Sequence, residues 1–304
     1  MSFKIGSFNC LNFGLGASKD AAIFADIIRD EQFDIVALQE IKGKAALNRI
    51  MQHLRTNWAA VADDSYVNDY AFIWNTNRIR LAETFVNGKK RIYEPRIYKQ
   101  YKLDKSRGQR DLVREPFYAR FFPAADAPFI EIRLINTHIR YSGSKDGEGS
   151  LLSLGEIAMR KNEFDVLTRA IYAKEADKEY GNSRPWYTIL LGDYNLNIPN
   201  SGAKSPYLVE SFTIDDRKDK PKCIVTRQSE LTTLKKINTA SDEQSERFAN
   251  NYDHFTYDEN RFSSVSTQVS RVNTVEKYCG GDYEKHQQKI SDHVPIAMNI
   301  DLRG

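Results

Sequence analysis

At 304 residues, with 41% hydrophobic and 28% charged side chains, the chain is ordinary for a globular protein and long enough to bury a core without disulfide or metal staples. Its net charge of +3 is too small by itself to imply a polyanionic partner, and three widely spaced cysteines (Cys10, Cys223, Cys279) with no CxxC pair argue against a disulfide framework and a structural zinc site. The polar start MSFKIGSFNCLNFG carries no secretory signal and no apolar run approaches the roughly eighteen residues of a membrane span, so a cytoplasmic protein without membrane association is expected.

In chain order, residues 3–9 (FKIGSFN) read as a strand. Asp20 then suits the N-cap of a short helix whose apolar stripe is Ile23, Phe24, Ile27 and Ile28. Residues 33–39 (FDIVALQ) are a near-continuous apolar run, the pattern of a strand buried on both faces. Leu47, Ile50, Met51 and Leu54 follow at helical spacing. Residues 70–74, 79–86, 116–122 and 129–137 predict strands. A long helix is expected next, with Ile157, Phe164, Leu167 and Ile171 on one stripe, and then a buried strand at 186–191 (WYTILL). Residues 197–250 are polar and read as mostly irregular, and strands resume at 252–257, 262–269 and 294–302. No linker, repeat or low-complexity tract divides the chain, which predicts one mixed α/β domain over residues 1–304.

The charge is unevenly spread. Residues 88–114 hold ten Lys/Arg, among them Lys89, Lys90, Arg91 and Arg114, against three acids, interleaved with Tyr93, Tyr98 and Tyr101. Such a run reads either as a solvated loop or as an arm that tracks a phosphate backbone while tyrosines stack on bases.

Polar side chains recur where buried strands end. Asn9 closes the first strand, Glu40 the second, His138 a later one, and Asp193 and Asn195 follow WYTILLG; Asp253 opens a strand and Asp292–His293 precede the last. In open α/β sheets ligands bind beyond the carboxyl ends of strands. Hard oxygen donors and two histidines gathered there suit metal-assisted phosphate hydrolysis, in which carboxylates hold Mg²⁺ and a positioned acid or base handles water and leaving group. Each residue alone is weak evidence, since a Glu after a strand is usually a turn residue and a lone His is more often structural. The combination carries the reading.

The segments SFN (7–9), LQE (38–40), NTH (136–138), GDYN (192–195), YDH (252–254) and SDHVP (291–295) resemble, in order and approximate spacing, the motifs of the endonuclease/exonuclease/phosphatase superfamily. The resemblance spans nearly the whole chain, and GDxN with SDHxP is its most specific part. It implies a deoxyribonuclease I-like four-layer α/β/β/α sandwich with two mixed β-sheets, and a Mg²⁺-dependent phosphodiesterase, with Mn²⁺ as the alternative metal. It further implies that Glu40 is the principal metal ligand, supported by Asn9 and Asp292. By the same resemblance His138 contacts the scissile phosphate on the leaving-group side, Asp193 orients or deprotonates the attacking water, and Asn195 hydrogen-bonds the phosphate. His293 is the second essential histidine, its tautomer fixed by Asp253. His254 matches the pattern poorly and reads as structural.

VREPF (113–117) resembles the deoxyribonuclease I branch and makes Arg114 the candidate phosphate clamp, a role that its planar fork of donors suits. That branch pairs the histidine corresponding to His138 with an acid; here the aligned stretch SYVNDY offers Asn68, with Asp69 one residue later. A tryptophan-rich loop of the apurinic-endonuclease kind has no counterpart in residues 197–250. Three functions stay open: a nuclease binding nucleic acid partly through Lys89, Lys90 and Arg91; a phosphatase or phosphodiesterase on an inositol phosphate or lipid head group; and a non-catalytic binding module. Nucleic acid is the expected partner, with no obligate protein partner evident. The third reading is disfavoured because every motif position carries a competent residue.

Overall fold

The computed structural model describes residues 2–16, 18–63, 69–87, 89–98, 112–125, 129–141, 156–180, 184–215, 221–228, 230–235 and 247–302. Its strands are β1 (Ser2–Phe13), β2 (Ile35–Ile41), β3 (Trp58–Ala62), β4 (Ala71–Asn75), β5 (Ile79–Leu81), β6 (Glu83–Val86), β7 (Lys89–Ile92), β8 (Arg96–Ile97), β9 (Phe117–Pro123), β10 (Glu131–His138), β11 (Trp186–Asp193), β12 (Ser211–Ile214), β13 (Lys222–Arg227), β14 (Asp253–Asp258), β15 (Val265–Arg271) and β16 (Ile296–Leu302). Its α-helices are α1 (Ala21–Asp30), α2 (Gly43–Met51), α3 (Glu156–Asp165), α4 (Ala173–Asp177), α5 (Thr274–Cys279) and α6 (Tyr283–Lys289), and a π-helical stretch, Val166–Tyr172, joins α3 to α4.

Two large mixed sheets result. One has six strands in the order β15-β16-β1-β2-β4-β3; the other has eight, β12-β13-β14-β11-β10-β9-β5 with β8 added to β9. Each contains one parallel pair, β1–β2 in the first and β10–β11 in the second. Their inner faces share one apolar layer that includes Ile5, Ile35 and Phe72 from the first sheet and Phe121, Leu134, Ile189 and Phe255 from the second. Phe24, Ile28, Leu47 and Ile50 of α1 and α2 pack on the outside of the first sheet. Phe164, Leu167 and Ile171 pack on the outside of the second. This is the four-layer α/β/β/α sandwich, and because both faces of β2 and β11 are covered, their sequences are continuous apolar runs rather than alternating ones.

Local signals are met at several points. The Asp20 carboxylate accepts from the Ala22 and Ile23 amides, capping α1. Residues 79–86 are not one strand: β5 pairs with β9, whereas β6 leaves the sheet to form a hairpin with β7. Residues 197–250 contain β12 and β13. The long helix buries Phe164, Leu167 and Ile171 of its expected stripe, with Met159, Arg160 and Glu163 beside them, whereas Ile157 is 45% exposed. The Thr168 hydroxyl donates to the Phe164 carbonyl at 2.7 Å inside the backbone ladder, where the helix widens into π geometry.

Candidate active site

Both parallel pairs end at the same edge of the sandwich. The pairing of β1 with β2 shifts register between Asn9 and Phe13, a bulge in which Leu11 and Asn12 are left-handed at φ 46° and 52°. The bulge brings the Asn12 amide to 2.8 Å from Glu40 Oε2. Glu40 (φ 62°) and Asn195 (φ 50°) are left-handed too, so strained non-glycine backbone gathers around one spot. On the second sheet, His138 and Asp193 face each other in register across β10 and β11, and Asp193 faces Asp253 across β11 and β14. That close approach depends on Gly192, at φ 142°: a Cβ there would lie 1.9 Å from the Thr137 carbonyl oxygen.

Asn9 Nδ2 crosses between the sheets, donating to Asp193 Oδ2 at 3.0 Å and to Glu40 Oε1 at 3.3 Å. Below it, Gln39 Nε2 donates to Asn136 Oδ1 at 2.8 Å, and Asn136 Nδ2 donates to the Leu38 carbonyl at 3.0 Å, a second buried link between sheets. The Ser291 hydroxyl donates to the Asn9 carbonyl and accepts the His293 amide, which fixes the SDHVP turn against β1.

Asp193 lies between the two histidines, its Oδ2 3.6 Å from His138 Nε2 and 3.7 Å from His293 Nε2. His293 Nδ1 lies 2.8 Å from Asp253 Oδ2, so that nitrogen carries the proton. Burial opposes charge on His293, but Asp253 and Asp193 together raise its pKa well above the usual imidazole value. Burial pushes Asp193 up to about 7, assisted by Asp253, while His293 and the hydrogen bonds from Asn195 and Asn9 oppose the rise. His138 is shifted the other way: burial and then the Arg114 guanidinium hold it well below its ordinary pKa. Arg114 Nη1 meets His138 Nδ1 at 2.5 Å. An arginine can only donate, so Nδ1 is the acceptor and the ring proton sits on Nε2, facing Glu40 and Asp193. The His138 amide donates to the buried Tyr70 hydroxyl at 2.8 Å.

The partner of His138, left open between Asn68 and Asp69, is Arg114 on the Nδ1 side. Asp69 is engaged with Lys42, and Asn68 lies outside the described residues, as do residues 99–111 of the basic segment. The amide of Asn195 donates to Asp193 Oδ1, and its side chain uses one N–H on the Ile139 carbonyl, the other having no partner among the described residues. His254 is structural: its Nε2 faces the Leu196 carbonyl at 2.8 Å and burial lowers its pKa to about 4. Lys89, Lys90 and Arg91 are not brought into the cluster. They lie on the exposed strand of the β6–β7 hairpin, where Lys90 pairs with Glu83 and Arg91 lines a surface pocket of about 510 Å³ with Tyr93, Arg96 and Arg120. Sequence reasoning missed Tyr70, Arg160 and Glu163, all buried. Arg160 Nη1 donates to the Asn195 carbonyl, and Glu163 accepts the Val113 amide.

A family model described as the Endonuclease/Exonuclease/phosphatase family matches residues 6–293. The chain belongs to this family. Solved structures agree on the fold. A family protein from Bacteroides thetaiotaomicron shares 11% identity at a TM-score of 0.55, covering 100% of this chain and 99% of that one. A Bacteroides vulgatus family protein shares 10% at 0.57, with 100% of both chains covered. The D. rerio TDP2 complexed with a single-strand DNA product shares 12% at 0.57, with 99% of each covered. No curated protein sequence matches.

All three activities in the family's name are hydrolyses of phosphoric esters, and members of it generally use a divalent metal. Among the described residues no group of three or more His, Cys, Asp and Glu side chains is already spaced around a metal position. The donor chemistry nevertheless fits a hard cation. Glu40 supplies a partly exposed carboxylate, and Asp292 Oδ1 is buried without a hydrogen-bond partner among the described residues. Lys19, buried, feels both acids, which ties Asp292 to the Glu40 side of the site. Asn9 turns its oxygen to the Leu11 amide and its nitrogen to the carboxylates, so its amide would have to turn over to become an oxygen ligand.

Proposed function

We propose that this chain is a divalent-metal-dependent phosphodiesterase that hydrolyses nucleic-acid phosphodiester bonds. The observation that carries the reading is Asp193 within 4 Å of both His138 and His293, the first with its pKa held well below and the second well above the ordinary imidazole value. Asp193, with its basicity raised by burial, is suited to take a proton from water near neutral pH. His293, held protonated by Asp253, offers a charged donor to a phosphoryl oxygen on one flank. On the other flank His138 offers its Nε2 proton, with Arg114 beside it supplying positive charge where negative charge grows in the transition state. The remaining N–H of Asn195 adds a neutral donor. Glu40 and Asp292, with Asn9 beside Glu40, would hold Mg²⁺ or Mn²⁺, whose chemistry is to neutralise the developing charge on phosphate.

Nucleic acid is favoured over a small phosphate ester by the basic, tyrosine-bearing residues 88–114 and by the DNA product held by the similarly folded D. rerio protein. The test is digestion of plasmid, linear, single-stranded and RNA substrates beside inositol phosphates, with Mg²⁺ and with EDTA. Mg²⁺-dependent cleavage of a polynucleotide, lost in Glu40→Gln, is expected. Intact nucleic acids together with phosphate release from inositol phosphates would overturn the substrate and keep the family.

A further inference from the structure

The position of Arg114 depends on a loop with little regular structure: residues 112–116 lie between residues outside the description and β9. The Leu112 side chain is buried in the outer apolar layer, with Phe164 of α3 in the same cluster. The next amide, Val113 N–H, donates to Glu163 Oε1 at 2.5 Å. Glu163 is 1% exposed and sits on the buried face of α3. The Arg140 amide, two residues beyond His138, also bonds to this carboxyl, and the Arg114 and Arg140 guanidiniums lie close enough to act on it electrostatically. One buried acid thus touches the chain beside both members of the Arg114–His138 pair.

We propose that Glu163 is a positioning residue: by accepting the Val113 and Arg140 amides it sets Arg114 against His138 Nδ1, and so fixes the His138 ring with its proton on Nε2. This deepens the phosphodiesterase reading and rests on it for its kinetic consequence. A buried acid could instead serve only to tie a helix to a loop. Two observations favour the positioning role. Burial pushes its carboxyl up to about 7, so near neutral pH it is not held as a firmly charged partner for either guanidinium, and the amides are its hydrogen-bond partners. The residue it restrains is also separated by one peptide bond from the arginine that meets His138 at 2.5 Å.

The experiment compares Glu163→Met, which keeps volume but removes the acceptor, with Glu163→Gln, which keeps an acceptor oxygen, and with Arg114→Ala. The substrate is the p-nitrophenyl ester of thymidine 5′-monophosphate with Mg²⁺. Glu163→Met should lower kcat as far as Arg114→Ala does, by tens to hundreds-fold (~10²), with KM nearly unchanged. The double variant should be no worse than Arg114→Ala alone, because both changes remove one interaction. Glu163→Gln should stay within about threefold of wild type, because a hydrogen bond of ordinary strength survives. Wild-type kcat in Glu163→Met, or an additive double variant, overturns the proposal. If the wild-type protein cleaves no phosphodiester, the functional reading fails and ¹⁵N spectra of the histidine rings decide the positioning claim. His138 Nδ1 should then shift in Glu163→Met as it does in Arg114→Ala, with His293 unmoved as the sign of a folded protein. An unshifted His138 would refute it. Should Glu163→Met fail to fold, Glu163→Ala is read by the same two criteria.

Discussion

Both ring nitrogens of His286 have partners. Nδ1 lies 2.6 Å from the Ser291 carbonyl and Nε2 lies 2.8 Å from the Thr274 hydroxyl, so the neutral ring donates at one end and accepts at the other. Burial lowers its pKa from 6.5 to about 4. Above 6.5 the ring is neutral folded or unfolded; between 6.5 and 4 the unfolded chain binds a proton that the native one refuses. The stabilising contribution is therefore whole above 6.5 and is lost as pH falls toward 4. The stability difference between wild type and His286→Gln should shrink on acidification by up to about 1.4 kcal/mol per pH unit, measured by urea denaturation at several pH values. A difference that stays constant over that range would reject the assignment. The two site histidines carry a kinetic prediction instead: His138→Ala and His293→Ala should each lower kcat by about two to four orders of magnitude with an unchanged circular dichroism spectrum. These two, with Asn9, Glu40, Asp193 and Asp253, are legible in the chain because short motifs mark the ends of apolar runs. Arg160 and Glu163 are not, because on an amphipathic pattern a charged residue counts as solvent-facing, and only the folded neighbours reveal that both point inward.

Among the elements, β10 carries a charged layer at the end far from the site. Glu131, 2% exposed, bonds to Arg120 at 2.6 and 2.9 Å and to Arg133 at 2.7 Å. The Arg120 guanidinium lies 3.4 Å from the Tyr180 ring centre and 4.1 Å from that of Tyr93. Glu131→Gln leaves two buried cations without their anion and should destabilise by about 3–5 kcal/mol, seen as a lower urea midpoint. His138 lies seven residues along the same strand, on the order of 23 Å away, so the kcat of the protein that remains folded should not change. Gly192→Ala makes the opposite kind of test. Its Cβ would press the Thr137 carbonyl between the strands that carry His138 and Asp193, so both stability and kcat should fall, compared on the same preparations. Most elements can be read from the sequence where an apolar run or stripe is long. β13 (KCIVTR) hides because its few apolar residues sit between cations, one of which, Lys222, is buried against Asp177. α5 and α6 hide because they are short and polar, begun by the Asn273 and Asp282 side-chain caps rather than by a hydrophobic stripe.

For the molecule as a whole, the +3 charge says little and its placement says more. Lys89, Lys90 and Arg91 ride on a two-stranded hairpin that, among the described residues, pairs with neither large sheet. Neutralising all three should raise KM on a long oligonucleotide and flatten the salt dependence of binding with little change in kcat, because distant phosphate contacts act on binding and not on the reacting bond. Wild-type behaviour of this triple variant at every salt concentration would mark the hairpin as a solvated surface.

The bridge from Asn9 to Asp193 joins residues 184 positions apart, and that from Ser291 to Asn9 spans 282. Closing loops of that length is slow compared with forming a hairpin or a helix. During refolding from urea, helix and sheet signals should therefore return first, and hydrolysis should return only when the two halves have met, with a lag that neither half alone would show. On that expectation, catalytic competence is a late event in the life of the chain, and a protease that attacks before that moment would meet a polypeptide that is largely structured and still inert.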